Sequence, residues 1–131
     1  MARISALLLA IIVLSGAVPV MAADGDIRTC SLTKGLECVS DEGCVEWTME
    51  EMSLPRFVRI DLASRTITSL DKEVKRTSKI ASVERLNGLI ILHGTEQRGW
   101  SMALAEDSGN LTISASGDDE GFIVFGSCIM P

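Results

Sequence analysis

From Phe57 onward, apolar and polar residues alternate in short runs separated by turn-forming residues. Phe57 to Leu62 puts Val58, Ile60 and Leu62 on one face and Arg59 and Asp61 on the other, the period-two pattern of a half-buried strand. Ala63-Ser64-Arg65 turns the chain into the β-branched run Thr66-Ile67-Thr68. Ile80 to Arg85 reads as a third strand. Asn87-Gly88, between Leu86 and Leu89, is a hairpin signal, because both residues tolerate the positive φ of a primed turn.

Leu89 to His93 is almost continuously apolar, which predicts a strand covered on both faces. Glu96-Gln97-Arg98-Gly99 makes the next turn, and Trp100, Met102 and Leu104 then share a face. Asp107 to Asn110 turns the chain again into Leu111 to Ser116, the cleanest alternation in the sequence. Gly117-Asp118-Asp119-Glu120-Gly121 leads to a last strand, Phe122 to Phe125, that ends at Cys128. Short strands joined by short turns predict an antiparallel all-β meander. An open meander leaves two raw edges, so a small barrel or a two-sheet sandwich is the expected architecture. Before Pro55 the pattern is weaker. Cys44 to Met49 reads as a strand with Val45, Trp47 and Met49 inward, or as the start of a short helix through Met52; the strand is the reading adopted.

The first 22 residues belong to a different class of pattern. Arg3 precedes an apolar run, Leu7 to Leu14, then a softer stretch with Pro19 and a small-residue exit at Val20-Met21-Ala22. Those are the parts of a secretory signal peptide, with the mature chain starting at Ala23 and no membrane anchor left after cleavage. The remaining 109 residues, 23–131, make one domain. Without Arg3, 11 basic side chains face 18 acidic ones, a net charge of −7. That balance argues against nucleic acid and anionic lipid as partners, since both need concentrated positive charge.

Export also changes the meaning of the four cysteines. An even number in a small exported chain points to disulfides. Sequence leaves three pairings open; Cys38–Cys44, around a short loop with turn character, and Cys30–Cys128, tying first strand to last, are the favoured ones. No metal is expected: with His93 the cysteines lack knuckle spacing, and an oxidising compartment disfavours free thiolates.

No catalytic constellation emerges. Gly99-Trp100-Ser101-Met102-Ala103 loosely resembles a nucleophile elbow, but that device needs a strand-to-helix turn in a large α/β sheet, and Ser101 falls mid-strand. His93 reads as an ordinary strand-end residue. Glu46, Glu50, Glu51 and Asp118-Asp119-Glu120 are acids that nothing in the sequence pairs across a cleft. Lys72, Lys75, Arg76 and Lys79 form the one basic cluster, interleaved with acids and read as a solvated loop. Arg98 and Trp100 put a guanidinium and an indole at a strand mouth, a pair of the kind that anchors interfaces. Trp100 in phase with Met102 and Leu104 reads more simply as core.

Ile80 to Arg85, Arg98 to Ser101 and Gly121 to Cys128 resemble segments of short exported bacterial proteins of unassigned function. In general layout the chain is also similar to the bacterial periplasmic inhibitors of c-type lysozyme, small eight-stranded barrels with a disulfide near the chain ends. Of their motifs S-G-x-x-[YF] and Y-x-x-x-T-K-G, only Thr33-Lys34-Gly35 is present, near the start and without the tyrosine, so no inhibitory residue carries over. The expectation is a monomeric, non-enzymatic, periplasmic or secreted binding protein without cofactor. Its target is an unidentified envelope protein, in one form a hydrolase that it inhibits. The alternatives are a barrel that carries a small ligand, and an envelope hydrolase working through acidic side chains.

Overall fold

The computed structural model describes residues 26–129; the leader reading for residues 1–22, its cleavage site and the start of the mature chain lie outside them. Ten strands follow in sequence: β1 (Ile27–Val39), β2 (Gly43–Trp47), β3 (Phe57–Asp61), β4 (Thr66–Ser69), β5 (Thr77–Lys79), β6 (Ser82–Leu86), β7 (Leu89–Gly94), β8 (Trp100–Ala105), β9 (Asn110–Ser116) and β10 (Glu120–Ile129). All pair antiparallel in one sheet, in the order β5-β4-β3-β1-β10-β9-β8-β7-β6, with β2 on β1. The architecture is an all-β half-barrel, as the alternation and short turns require.

Why the sheet curls follows from its order. Laid flat, nine strands at their usual spacing would hold the outer two about 38 Å apart. Those outer strands, β5 and β6, are consecutive in sequence and joined by Ile80-Ala81 alone. The three steps from Lys79 to Ser82 reach at most about 11 Å. The sheet must therefore roll until its edges nearly meet. The linking residues bond once to each side: the Ile80 N–H donates to the Arg65 carbonyl at 2.9 Å, and the Ala81 N–H to the His93 carbonyl at 2.7 Å.

The inner face carries the core, with Ile60, Ile90, Leu92, Leu104 and Leu111 fully buried. Val58, Ile60 and Leu62 are all buried, as are Met102 and Leu104 beside a half-buried Trp100. Asn87 and Gly88 take φ of 50° and 78°, the primed hairpin their sequence called for. β7 differs from expectation. Leu89 and His93 are exposed and only Ile90, Leu92 and Gly94 are buried, because nothing layers over the outside of a single rolled sheet.

β1 is the longest element and the least visible in sequence. Its first half pairs with β3 and its second half with β2 on the same edge, while β10 runs along the other edge throughout. A bulge between Leu32 and Lys34 marks the change of partner. The extra residue reverses which side chains face inward, so Leu32 and Gly35 both point to the core. Thr33 is the unpaired residue, and Lys34 and Gly35 resume the ladder with Phe125 and Val124.

Past β2 the chain is neither the continued strand nor the helix that Cys44 to Met52 allowed. A single turn forms at Thr48–Met52, the Met52 N–H donating to the Thr48 carbonyl at 3.1 Å. Thr48 and Glu51 make a capping box: the Glu51 carboxylate accepts from the Thr48 N–H at 2.8 Å, and the Thr48 hydroxyl accepts from the Glu51 N–H at 3.2 Å. Ser53, at φ 54°, closes the turn with the Leu54 N–H bonded to Met49 and the Ser53 N–H to Glu50, a Schellman ending. Both ends are satisfied locally, so the turn persists without helical neighbours. Met49 is buried as expected, but Val45 is 56% exposed, because β2 overhangs the rolled sheet and nothing packs there.

Cys30 is bonded to Cys128 and Cys38 to Cys44, both across directly paired strand positions. Two disulfides with no free cysteine among the described residues fit an oxidising, non-cytoplasmic compartment. No helix among those residues is long and apolar enough to cross a membrane. The Cys30–Cys128 bridge joins neighbours at the middle of the sheet; the seam lies elsewhere, between β5 and β6.

The bridges close loops of very different length, with sequence separations of 98 and 6. Replacing Cys30 and Cys128 together with Ser should cost about 4–5 kcal/mol in urea unfolding, and replacing Cys38 and Cys44 about 2 kcal/mol, if closure entropy dominates. Equal losses from the two pairs would contradict that origin.

Candidate functional site

At the end of the roll where β5 parts from β7 and β8, the inner face is not filled. A cavity of about 470 Å³ opens there. Its deeper wall is Leu32, Val58, Met102 and Val124, all buried, and its outer wall is Trp100, Ile113, Phe122 and Ile67, half-buried. Strand alternation explains the set: inward positions of β8, β9 and β10 bring Trp100, Ala115 and Phe122 into one row and Met102, Ile113 and Val124 into the next. The first row holds only an alanine between Trp100 and Phe122.

Had Leu92, Met102, Phe122 and Phe125 all pointed inward, they would have left no room for a ligand. Phe125 instead lies on the outer face, 38% exposed, and Phe122 lines the cavity without closing it.

Glycine sets the position of Trp100. Gly94 is its cross-strand partner, and a β-carbon at Gly94 would overlap the indole. The ring lies across the glycine and forms cavity wall. A second glycine, Gly35, does the same for the cover: a β-carbon there would strike the Met52 sulfur and press on the Met49 methyl. The capped turn Thr48–Ser53 lies over β1 through this contact and brings Met52, Leu54 and Trp47 to the cavity. The Trp47 indole N–H is buried with no hydrogen-bond partner among the described residues.

Five charged side chains join the lining: Glu37, Glu51, Arg76, Glu96 and Arg98. Arg98 pairs with Glu120 and lies over the Phe122 ring, 4.9 Å from its centroid. Glu96 accepts a hydrogen bond from the Lys79 N–H at 3.0 Å, pinning the turn before β8 to the edge strand β5. Glu37 and Arg76 also line the opening. Hydrogen bonds from the Thr48 amide and hydroxyl hold the Glu51 carboxyl below its usual range.

Arg98 and Trp100, the pair read as an interface anchor, thus become parts of a cavity mouth. Ser101 and His93 do meet, as direct cross-strand partners, but on the outer face, where the backbone amides that an oxyanion hole would need belong to the ladder. Glu46, Glu50 and Glu51 gather around a shallow cleft beside the capped turn, with Arg56. Glu46 is paired with Lys34 at 3.2 Å, and Glu51 is shifted opposite to the direction a general acid needs. Among the described residues no cluster of His, Cys, Asp or Glu is arranged to hold a metal. Arg76, set aside in sequence as part of a solvated loop, and Gly94 are the residues that sequence reasoning missed. An arginine two positions before an inward Ser78 on a short strand is the signal that could have placed the first.

Gly94→Ala should displace Trp100 from the wall. Its emission, read in a Trp47→Phe background, should shift and its stability fall by about 1–3 kcal/mol; an unchanged spectrum would refute the stacking. The capped turn should be acid-sensitive. Because Glu51 is depressed when folded, its contribution is complete above the ordinary value of 4.5 and is lost as pH falls through its own lower value. Amide exchange at Met52, Ser53 and Leu54, corrected for intrinsic rates, should therefore rise selectively below about pH 4, and Glu51→Gln should abolish that selectivity.

No protein-family model matches the chain, and neither a curated protein nor a solved structure matches it, so the geometry of the cup is what bears on function.

Proposed function

We propose that the chain is a non-enzymatic, monomeric binding protein of the periplasm or the extracellular space whose β-cup takes a small apolar ligand. The observation that carries this reading is the open cavity of about 470 Å³, lined mostly by apolar side chains with a few charged ones among them. Ligand sites fall in the range of about 300–1,000 Å³ and share that distribution, apolar lining with few polar groups. Trp100 faces the cavity, which removes the apolar anchor that a protein target would have gripped. Of the functions the sequence left open, the ligand carrier is the one that the interior supports. The two disulfides hold the cup in an oxidising compartment, and the capped turn with Met49 and Met52 gives it a cover that adapts, since methionine packs against varied shapes.

Transfer of an alkyl chain into such a cavity stabilises by about 0.8 kcal/mol per methylene. In a series of linear alcohols, affinity measured by titration calorimetry should rise about fourfold per carbon and then level off once the cavity is full. Ala115→Phe, which fills the small position of the Trp100-Ala115-Phe122 row, should abolish binding while the protein remains folded. Affinity independent of chain length, or untouched by Ala115→Phe, would refute this function.

A further inference from the structure

We infer that the ligand is a single-chain amphiphile with an anionic head, and that Arg76 is the partner of that head. This rests on reading the cup as a ligand site and adds the chemistry of the ligand.

The charges at the mouth can be accounted for one at a time. Arg98 is held by Glu120 and by the Phe122 ring. Glu96 accepts from the Lys79 amide, and Glu51 from Thr48. Glu37, the cross-strand partner of Phe122, makes no side-chain hydrogen bond or ion pair among the described residues. Arg76 is the cation left. It is half-buried, lines the cavity, and makes no side-chain hydrogen bond or ion pair among the described residues.

A guanidinium carries five donors in a planar fork, and holding it against an apolar wall without an acceptor is unfavourable. A carboxylate or phosphate fits that fork with two parallel hydrogen bonds. The backbone presents the residue firmly, since the Arg76 carbonyl accepts from the Ser69 N–H at 2.8 Å. Two positions on, Ser78 shares its face and also lines the cavity, which adds a hydroxyl donor beside the guanidinium. Lys72 and Lys75 stand just before it, exposed, with Asp71 and Glu73 interleaved. The apolar wall then receives the tail. At about 30 Å³ per methylene-sized group, taken from the volume of one water, the cavity holds on the order of fifteen non-hydrogen atoms.

The test compares decanoate, decan-1-ol and decylamine, below their aggregation limits, on the oxidised protein at pH 7. Decanoate should bind at least tenfold tighter than decanol, the scale of a charge-assisted hydrogen bond. Arg76→Gln should close that gap by weakening decanoate far more than decanol, with an unchanged near-UV circular dichroism spectrum showing that the variant is folded; Arg76→Lys should restore part of it. Equal affinity for decanoate and decanol, or a gap that survives Arg76→Gln, would overturn the head assignment and leave the cup as a ligand site. Tighter binding of decylamine would reverse the sign of the head and move its partner to Glu37. If none of the three binds, the ligand-site reading falls and the head assignment with it.

Discussion

Two residues, Ile80 and Ala81, join the opposite edges of the sheet, and the rest of the molecule adapts to that connection. A meander of antiparallel hairpins is locally indifferent to whether it stays flat or rolls; right-handed twist biases it but does not close it. A link shorter than the sheet is wide removes the flat solution. Because Ile80 bonds to Arg65 on one side and Ala81 to His93 on the other, the short segment acts as one strand shared between two edges. β6 continues it along β7, whereas β5 pairs with β4 and not with β7, which leaves a split. The mouth of the cavity is that split.

The remaining features serve to keep the split from collapsing or from opening further. Glu96 bridges it with a side-chain hydrogen bond to the Lys79 amide, where a regular ladder would have used main chain. Gly94 lets Trp100 lie flat as wall, and Gly35 lets Met52 and Met49 lie flat as cover. The Cys30–Cys128 bridge sits at the centre of the sheet, where β1 changes from pairing β3 to pairing β2, and holds the long strand against β10 on the near side of its bulge. At the far end Cys38–Cys44 fixes the overhanging hairpin that carries Trp47 into the cavity. The cavity lining is largely apolar, and of the charged side chains in it Arg98, Glu96 and Glu51 have partners, while Arg76 and Glu37 make no side-chain hydrogen bond or ion pair among the described residues.

Seven of the strands were legible because each has one wet face, so burial writes itself as alternation; Val58-Ile60-Leu62 and Leu111-Ile113 show it plainly. β1 was not legible. Its inward set is Arg28, Cys30, Leu32, Gly35 and Glu37, a mixture of charge, sulfur and glycine whose phase reverses at the bulge, so no period survives along it. β5, three residues long, is too short to show any period. The turn after Trp47 was ambiguous for another reason: Thr48-x-x-Glu51 is a helix start, and only the Ser53 reversal and the contact of Met52 on Gly35 stop it after one turn.

By itself the sequence determined the class of fold, the hairpins and their inward faces, and the kind of compartment that four cysteines suit, since these depend on neighbours a few residues apart. Only the tertiary structure decided that the interior is hollow, that Phe125 faces out, and that Arg76 reaches a cavity from a loop that looks merely solvated. Those outcomes depend on how the sheet closes, and closure is set by the distance between its two edges, a quantity that no local pattern of residues contains.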